Sequence, residues 1–311
     1  RKLLPRIVDS NAIVGRLSRE AAAECGLDSG IPLVAGAGDK PAGTLGAGIV
    51  SPGLLIDESA SFAALSLCVD RYVPDVKNRT LENLPSPLPG HYLPSIYLFG
   101  SGVTHAWFKN IFGKEESREA AASGTSPFLL LDESASHVPP GSEGLLASGL
   151  LGGRGYPSDP DIRGMWIGHS LVHKKEHFYR SLLESFAYEF ATVLEVMRKN
   201  YPDLSLDEIR VIGGGARSDL WNQIKADATG VPYVRLNRDD FAVLGGVLLA
   251  GSAVGIYPDI KASAARFVGK TRRFEPDPGK HQLYRRYVAL YAGIFDRVRG
   301  IFTDLKDISA C

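Results

Sequence analysis

An aspartate stands where a short apolar run meets a glycine turn: Pro32 to Ala35 leads into Gly36-Ala37-Gly38-Asp39. In open α/β sheets, ligands bind beyond the carboxyl ends of the strands, and a carboxylate there can take a proton from a substrate hydroxyl. The same side chain can simply cap a helix that begins at Lys40, and spacing alone favours the cap. A second turn, Gly213-Gly214-Gly215-Ala216-Arg217-Ser218, follows the strand-like run Glu208 to Ile212. Glycines let the backbone approach a phosphate, and helix N-terminal amides accept its charge; a glycine run is also an ordinary turn. A third segment pairs Gly152-Gly153-Arg154 with Asp159-Pro160-Asp161-Ile162-Arg163-Gly164. Its alternative is a structural loop stapled by Arg–Asp pairs.

Other chemistries are not supported. No Gly-x-x-x-x-Gly-Lys-Ser/Thr loop occurs, which argues against a P-loop enzyme. Gly-x-Ser-x-Gly is absent, so a hydrolase elbow has no basis. His169, His173 and His177 are spaced by four, but His169 precedes the expected helix and no nearby Cys or acid completes a zinc set; no metal site is assigned to them. Lys plus Arg and Asp plus Glu balance at 35 each, so no net field favours nucleic acid or an anionic membrane. No run approaches the roughly 18 apolar residues of a membrane span. Cys25, Cys68 and Cys311 are odd in number and widely spaced, neither a disulfide framework nor a zinc pattern. Cys25 and Cys68 read as buried thiols of a cytoplasmic protein. The chain opens on Arg1, without a signal-peptide core, and reads as a piece of a longer protein.

The elements that must position these residues alternate between strand and helix. Residues 1–53 read as one unit, with a short helix from Ser18, its N-cap, to Cys25, stopped by Gly26. Pro32 to Ala35 reads as a buried strand, and Lys40 to Gly48 as a helix of small residues suited to close packing. Leu54 to Cys68 is expected to form a hairpin, 71–95 to be irregular, and Tyr92 to Phe99 to be a strand. Gly100-Ser101-Gly102 precedes a helix through Trp107 and Phe112, 117–142 mixes helix and loop, and 149–164 is a long loop. Phe178, Leu182, Phe186, Phe190, Val193 and Met197 mark the clearest helix, Lys174 to Asn200. Leu220 to Thr229 is a helix closed by Gly230, Val231 to Arg235 a strand, and Ala242 to Gly251 a second small-residue helix. A last helix, Leu283 to Phe302, carries Tyr287, Leu290, Tyr291, Ile294, Val298 and Ile301 on one face, for the core or for a homodimer interface; the core is preferred. Strands alternating with helices, with glycine turns at strand ends, indicate an α/β layered fold, and the turns at 36–38 and 213–215 suit two lobes facing a cleft.

Taken in order, these segments resemble the FGGY carbohydrate kinases, a family that includes xylulokinase, ribulokinase, fuculokinase and glycerol kinase. The opening through "IPLVAGAGDKPAGTLGAG" is similar to the end of the family's first domain, where the aspartate of a Gly-Asp motif is the general base; Asp39 is the matching residue. "GGRGYPSDPDIRG" resembles the family's Gly-Glu-Arg-Thr-Pro segment, and Gly152 matches its phosphate-contacting glycine. "VIGGGARSDLWNQIKADATGVPY" resembles the strongest signature of the second domain: Gly214 and Gly215 match positions lining the ATP phosphates, and Asp219 falls near the adenine edge. "DDFAVLGGVLLAG" resembles a later small-residue helix. Two departures stand out. The family's Gly-Thr-Ser or Gly-Thr-Ala turn is replaced by "DESASFAAL", where Ser59 or Ser61 takes the place of the threonine, no glycine remains, and Phe62 is expected to crowd the site. Asp240 stands where a glutamate is usual.

The resemblance implies an actin-like ATPase (ribonuclease H-like) α/β fold, a mixed sheet flanked by helices. Residues 1–53 would be the tail of a sugar-binding domain and 54–311 an ATP-binding domain. It further implies ATP and Mg2+ as cofactors and transfer of phosphate to a sugar or polyol hydroxyl, a pentulose by analogy. The family's first phosphate loop, an aspartate near the magnesium and most sugar contacts lie ahead of this stretch, so the chain alone is expected to be inactive. The alternative, supported by the altered turn, is a non-catalytic nucleotide-binding or regulatory protein built on the same domain.

Overall fold

The computed structural model describes residue 3 and residues 5–155, 158–238 and 240–309. The chain begins with a small antiparallel ribbon, β1 (Ile13–Arg16) and β2 (Pro32–Val34), joined through α1 (Arg19–Cys25). Ser18 caps α1 by accepting the Ala21 N–H, and Gly26 closes it in the left-handed conformation that glycine adopts without strain. The ribbon is not buried: Leu33 is exposed and Pro32 and Val34 are half-buried, with α8 as the neighbouring element beyond β1. The expectation of a buried strand here is corrected. So is that of a buried Cys25: α1 buries only Ala22, which leaves Cys25 in solvent, whereas Cys68 is buried. Cys311 lies outside the described residues.

Helix α2 (Asp39–Gly46) leads into the main sheet. Among the described residues this sheet has seven strands in the order β11-β10-β9-β3-β4-β6-β5. They are β3 (Leu54–Ser59), β4 (Ala63–Leu67), β5 (Glu82–Pro85), β6 (Tyr92–Leu98), β9 (Glu208–Ile212), β10 (Tyr233–Leu236) and β11 (Lys270–Phe274). A two-stranded ribbon, β7 (Leu146–Ser148) with β8 (Met165–Ile167), brackets the long loop. β10, β9 and β3 run parallel; the remaining neighbours are antiparallel. β3 and β4 form the expected hairpin, while β5 gives order to a stretch read as irregular.

Alternation along β3 sorts its side chains between two layers. Leu55 joins the large core against α6 (Lys175–Asn200) and α7 (Asp219–Thr229), and Ile56 joins the opposite core with Ala47, Val234 and Phe241. The first side also carries α3 (Ser101–Phe112), α4 (Lys114–Ser123), α5 (Pro127–Ser136) and α10 (Pro278–Ala292). The second side carries α2, α8 (Ala242–Ala253) and α9 (Ile260–Phe267). The chain ends in α11 (Ile294–Ser309). The last helix was expected to be continuous; it is two, parted at Gly293, whose low helix propensity and lack of side chain end α10. Of its expected face, Tyr291 and Ile294 are buried, as are Phe295 and Phe302, while Leu290 on α10 and Ile301 on α11 are exposed.

Helix α6 is buried on nearly all sides through its middle, and the polar groups there are held by specific partners. Glu184 accepts from the Gly141 N–H, the Ser142 hydroxyl, the Arg180 Nε and the Tyr284 hydroxyl, all at 2.8–2.9 Å. Where α2 crosses α8 the contact is backbone on backbone. A Cβ at Gly46 would lie 2.1 Å from the Phe241 carbonyl oxygen, and one at Gly245 1.9 Å from that of Ala42. Only glycine fits either position, which explains the small residues in both helices. Among the described residues, no helix is long and apolar enough to cross a membrane.

Candidate active site

The two glycine turns reach one cleft, the first through Asp39 and the second through Gly213. Asp39, the first residue of α2, lines an open cleft of about 300 Å³ together with Lys40, Gly43, Glu58, Phe62, Gly213 and Asp240. Asp39 is not the cap that spacing favoured: Gly38 holds that position, without a side-chain bond, because the helix starts one residue earlier than expected. The Asp39 Oδ1 accepts the N–H of its neighbour Lys40 at 2.8 Å, and its carboxylate stays exposed to the cleft.

The opposite wall is the turn after β9. Gly213 has φ 84°, and a Cβ there would lie 2.8 Å from the Ser59 carbonyl oxygen. A Cβ at Gly215 would meet Trp221 at 2.5 Å and Ser59 Cβ at 2.7 Å, whereas Gly214 faces open space. Glycines at 213 and 215 thus let the turn settle on the end of β3, and Gly214 presents bare backbone to solvent. Ser218 caps α7, accepting the Trp221 N–H at 3.0 Å.

The predicted binding residues divide. Ser59 lies at the base of the turn, but its hydroxyl is fully buried: it donates to Asp57 at 2.8 Å and accepts from Lys225 Nζ at 2.9 Å. Ser61 is exposed at the hairpin tip beside the cleft, its carbonyl accepting the Val103 N–H at 3.1 Å. Phe62 lines the cleft as expected and packs edge-on to Phe99, ring centroids 5.7 Å apart. Gly152 is exposed in the long loop and is not a wall of the cleft; the loop reaches the rim through Gly155, which rests on the Phe99 ring. Asp219 is the first residue of α7 and holds Arg235 at 3.0 Å and Arg272. The long loop is indeed stapled by ion pairs, but to other elements: Arg154 to Glu189 at 2.7 Å, Asp161 to Lys306 at 2.8 Å, and Asp159 to Arg299.

Two features were not foreseen. Glu58 points into the cleft and accepts Lys40 Nζ at 2.7 Å. On the other face of β3, Asp57 and Lys225 form a fully buried pair at 2.6 Å, directly under Ser59. Burial pulls the Lys225 ammonium below its usual range, and Asp57 pulls it back. Trp221 and Tyr233 present ring faces 4.2 and 5.0 Å from that ammonium. Burial, with help from Lys225, also drives His105 down to about 3, so this ring, packed on Trp221, stays neutral. The one available signal was charge in an otherwise apolar strand, "LLIDES", and a lysine four residues beyond Trp221 on one helix face.

Known proteins match this arrangement. The profile of the FGGY family of carbohydrate kinases, C-terminal domain, matches residues 77–254, more than half of the chain, and that of its N-terminal domain matches residues 1–46. The chain belongs to the FGGY carbohydrate kinase family. It is 30% identical over 99% of its length to a xylulose kinase of Staphylococcus epidermidis, of which it covers 60%. It is also 30% identical, over 91% of its length, to an autoinducer-2 kinase of Escherichia coli, of which it covers 53%. Among solved structures, the xylulose kinase from Rhodospirillum rubrum superposes with a TM-score of 0.83 at 26% identity, over 96% of this chain and 58% of that one. Its fold is accordingly that of the actin-like ATPases to which FGGY sugar kinases belong. The chain thus spans 60% and 53% of the length of these two curated relatives.

Proposed function

We propose that this FGGY family chain supplies the ATP-binding domain and the general base for phosphorylation of a sugar or polyol hydroxyl. One observation carries the reading: Asp39 and Gly213, which opens the second glycine turn, line a single cleft. Residues 1–53 act as the tail of a sugar-binding domain and 54–311 as the ATP-binding domain. Asp39 takes the hydroxyl proton, and the freed oxygen attacks the γ-phosphate in line. Positioning and charge neutralisation supply most of the acceleration. Gly214, held out by the packing of Gly213 and Gly215 on β3, offers bare backbone for the phosphates; Ser61 lies beside the cleft, Gly152 and Asp219 would join only as further elements close on the nucleotide, and Ser59 contributes through its backbone, since its hydroxyl is taken.

Magnesium needs few protein ligands when it arrives with a polyphosphate, because phosphate oxygens and water fill most of its shell. The cleft carboxylates of Asp39 and Asp240 are suitable oxygen donors. When bound, the ion would neutralise charge on the transferred group. A pentulose is the substrate we favour, since xylulose kinases are among the relatives, and the cytoplasm is the compartment that suits an ATP-dependent enzyme.

One observation favours a second reading, a regulatory nucleotide-binding protein: a carboxylate, Glu58, stands in the cleft where phosphates would approach. ADP release by the full-length gene product, measured across pentuloses, hexoses and polyols, separates the two. The kinase reading expects stimulation by one sugar class, a loss of roughly 10²-fold or more in kcat for Asp39→Asn, and ATP affinity nearly unchanged. ATP binding with no stimulation by any sugar would instead establish the regulatory reading.

A further inference from the structure

We propose that Lys40 is a phosphate-contacting residue of the cleft, held in reserve by Glu58 until a polyphosphate displaces that carboxylate. The proposal rests on the reading of the cleft as the phosphate site. Lys40 follows Asp39 in the first turn of α2, so its ammonium and the Asp39 carboxylate serve the same space. Strand alternation brings Glu58 to meet it: Asp57 and Ser59 go to the α7 side of the sheet, and Glu58 to the α2 side. The two side chains join at 2.7 Å.

Charge in the cleft supports the exchange. Among the described residues, its walls carry the carboxylates of Asp39, Glu58 and Asp240 against one cationic side chain, Lys40. An entering polyphosphate therefore meets an acidic surface whose single positive answer is already engaged. Water reaches that engagement from the lysine side, where the Lys40 side chain is 33% exposed against 14% for Glu58, so the pair is open to exchange with an entering anion. A phosphate group offers more charge and more acceptor oxygens than a carboxylate, and charge-assisted hydrogen bonds to it are the strong kind. The ammonium also lies 4.6 Å from the centre of the Tyr97 ring, a second contact that holds the lysine stem over the cleft when Glu58 is released. Glu58 has room to withdraw, because at Gly43 only a hydrogen faces it. Glu58 thereby competes with phosphate for one cation and weakens its binding.

Calorimetric titration of the full chain with inorganic tripolyphosphate and, separately, with ATP tests this. Lys40→Met is expected to weaken both by about tenfold or more, Lys40→Arg to keep affinity within about threefold, and Glu58→Gln to tighten both. Unchanged tripolyphosphate affinity in Lys40→Met, or in Glu58→Gln, overturns the proposal. Should Lys40→Met lose its circular dichroism signal, Lys40→Arg and Glu58→Gln decide. Lys40-dependent tripolyphosphate binding without ATP binding keeps the phosphate contact and removes the nucleotide reading; ATP binding indifferent to Lys40 does the reverse. A wild-type chain that binds neither ligand overturns both.

Discussion

The buried pair under Ser59 permits a sharp test of what holds the cleft floor. Lys225 and Asp57 have no solvent exposure, and the ammonium is bonded to Asp57 at 2.6 Å and to Ser59 at 2.9 Å. Lys225→Met removes the cation and leaves the Asp57 carboxylate with the Ser59 hydroxyl as its remaining bond. Asp57→Asn leaves an ammonium against two aromatic rings with no counter-ion. Breaking one partner of a buried pair costs about 3–5 kcal/mol, because the other charge stays desolvated or must titrate. Removing both charges eliminates the stranded group. The double variant should therefore lose no more than one single variant does, where independent losses would sum to about 6–10 kcal/mol. Urea unfolding at pH 7 and 25 °C, compared at constant m, gives these numbers. Additive losses, or a Lys225→Met variant within about 1 kcal/mol of wild type, would refute the coupling.

Two further outcomes follow from burial and close contact. Burial raises the Asp132 carboxyl to about 6, only partly offset by hydrogen bonds such as that from the Tyr179 hydroxyl at 3.3 Å. A folded pKa above the unfolded value gives stability that is complete at low pH and is lost as pH rises through about 6. Between pH 4.5 and 7.5, wild type should lose about 2 kcal/mol more than Asp132→Asn; equal losses in urea unfolding would remove Asp132 from the account. Gly245→Ala should lower the melting temperature, because its Cβ would lie 1.9 Å from the Ala42 carbonyl oxygen, an overpacking cost of about 1–3 kcal/mol. Its neighbour Gly246 faces open space, so Gly246→Ala should raise the melting temperature by removing a glycine from a helix interior.

The parts of this molecule legible in sequence are those decided by local chemistry. The Ser18 and Gly26 caps, the long α6 and the β3–β4 hairpin depend on residues within a few places of one another. Asp39 and the Gly213 turn were legible as chemistry at strand ends, and family resemblance ordered them. What could not be read was decided by partners distant in sequence. Pro32 to Ala35 is apolar, yet β2, beside β1 and α8, is at most half-buried. Gly293 looked like one glycine inside a helical pattern and proved to be its end. Glu58 and Asp57 are adjacent, but which faces the cleft depends on which layer each side of the sheet receives. The partner of Asp57 is Lys225, 168 residues away.

The crossing of α2 and α8 has a mechanical consequence. Helices usually mesh side-chain ridges into grooves, and turning one on the other means lifting out of register. At Gly46 and Gly245 the ridges are missing and backbone meets backbone, while Leu45, Leu248 and Leu249 interlock beside them. Such a crossing works as a spacer, because neither backbone can come closer to the other. Asp39 and Lys40 sit at the start of one helix, and Asp240 and Phe241 just before the start of the other. The distance between these two sides of the cleft is therefore set by backbone contact rather than by the reach of long side chains.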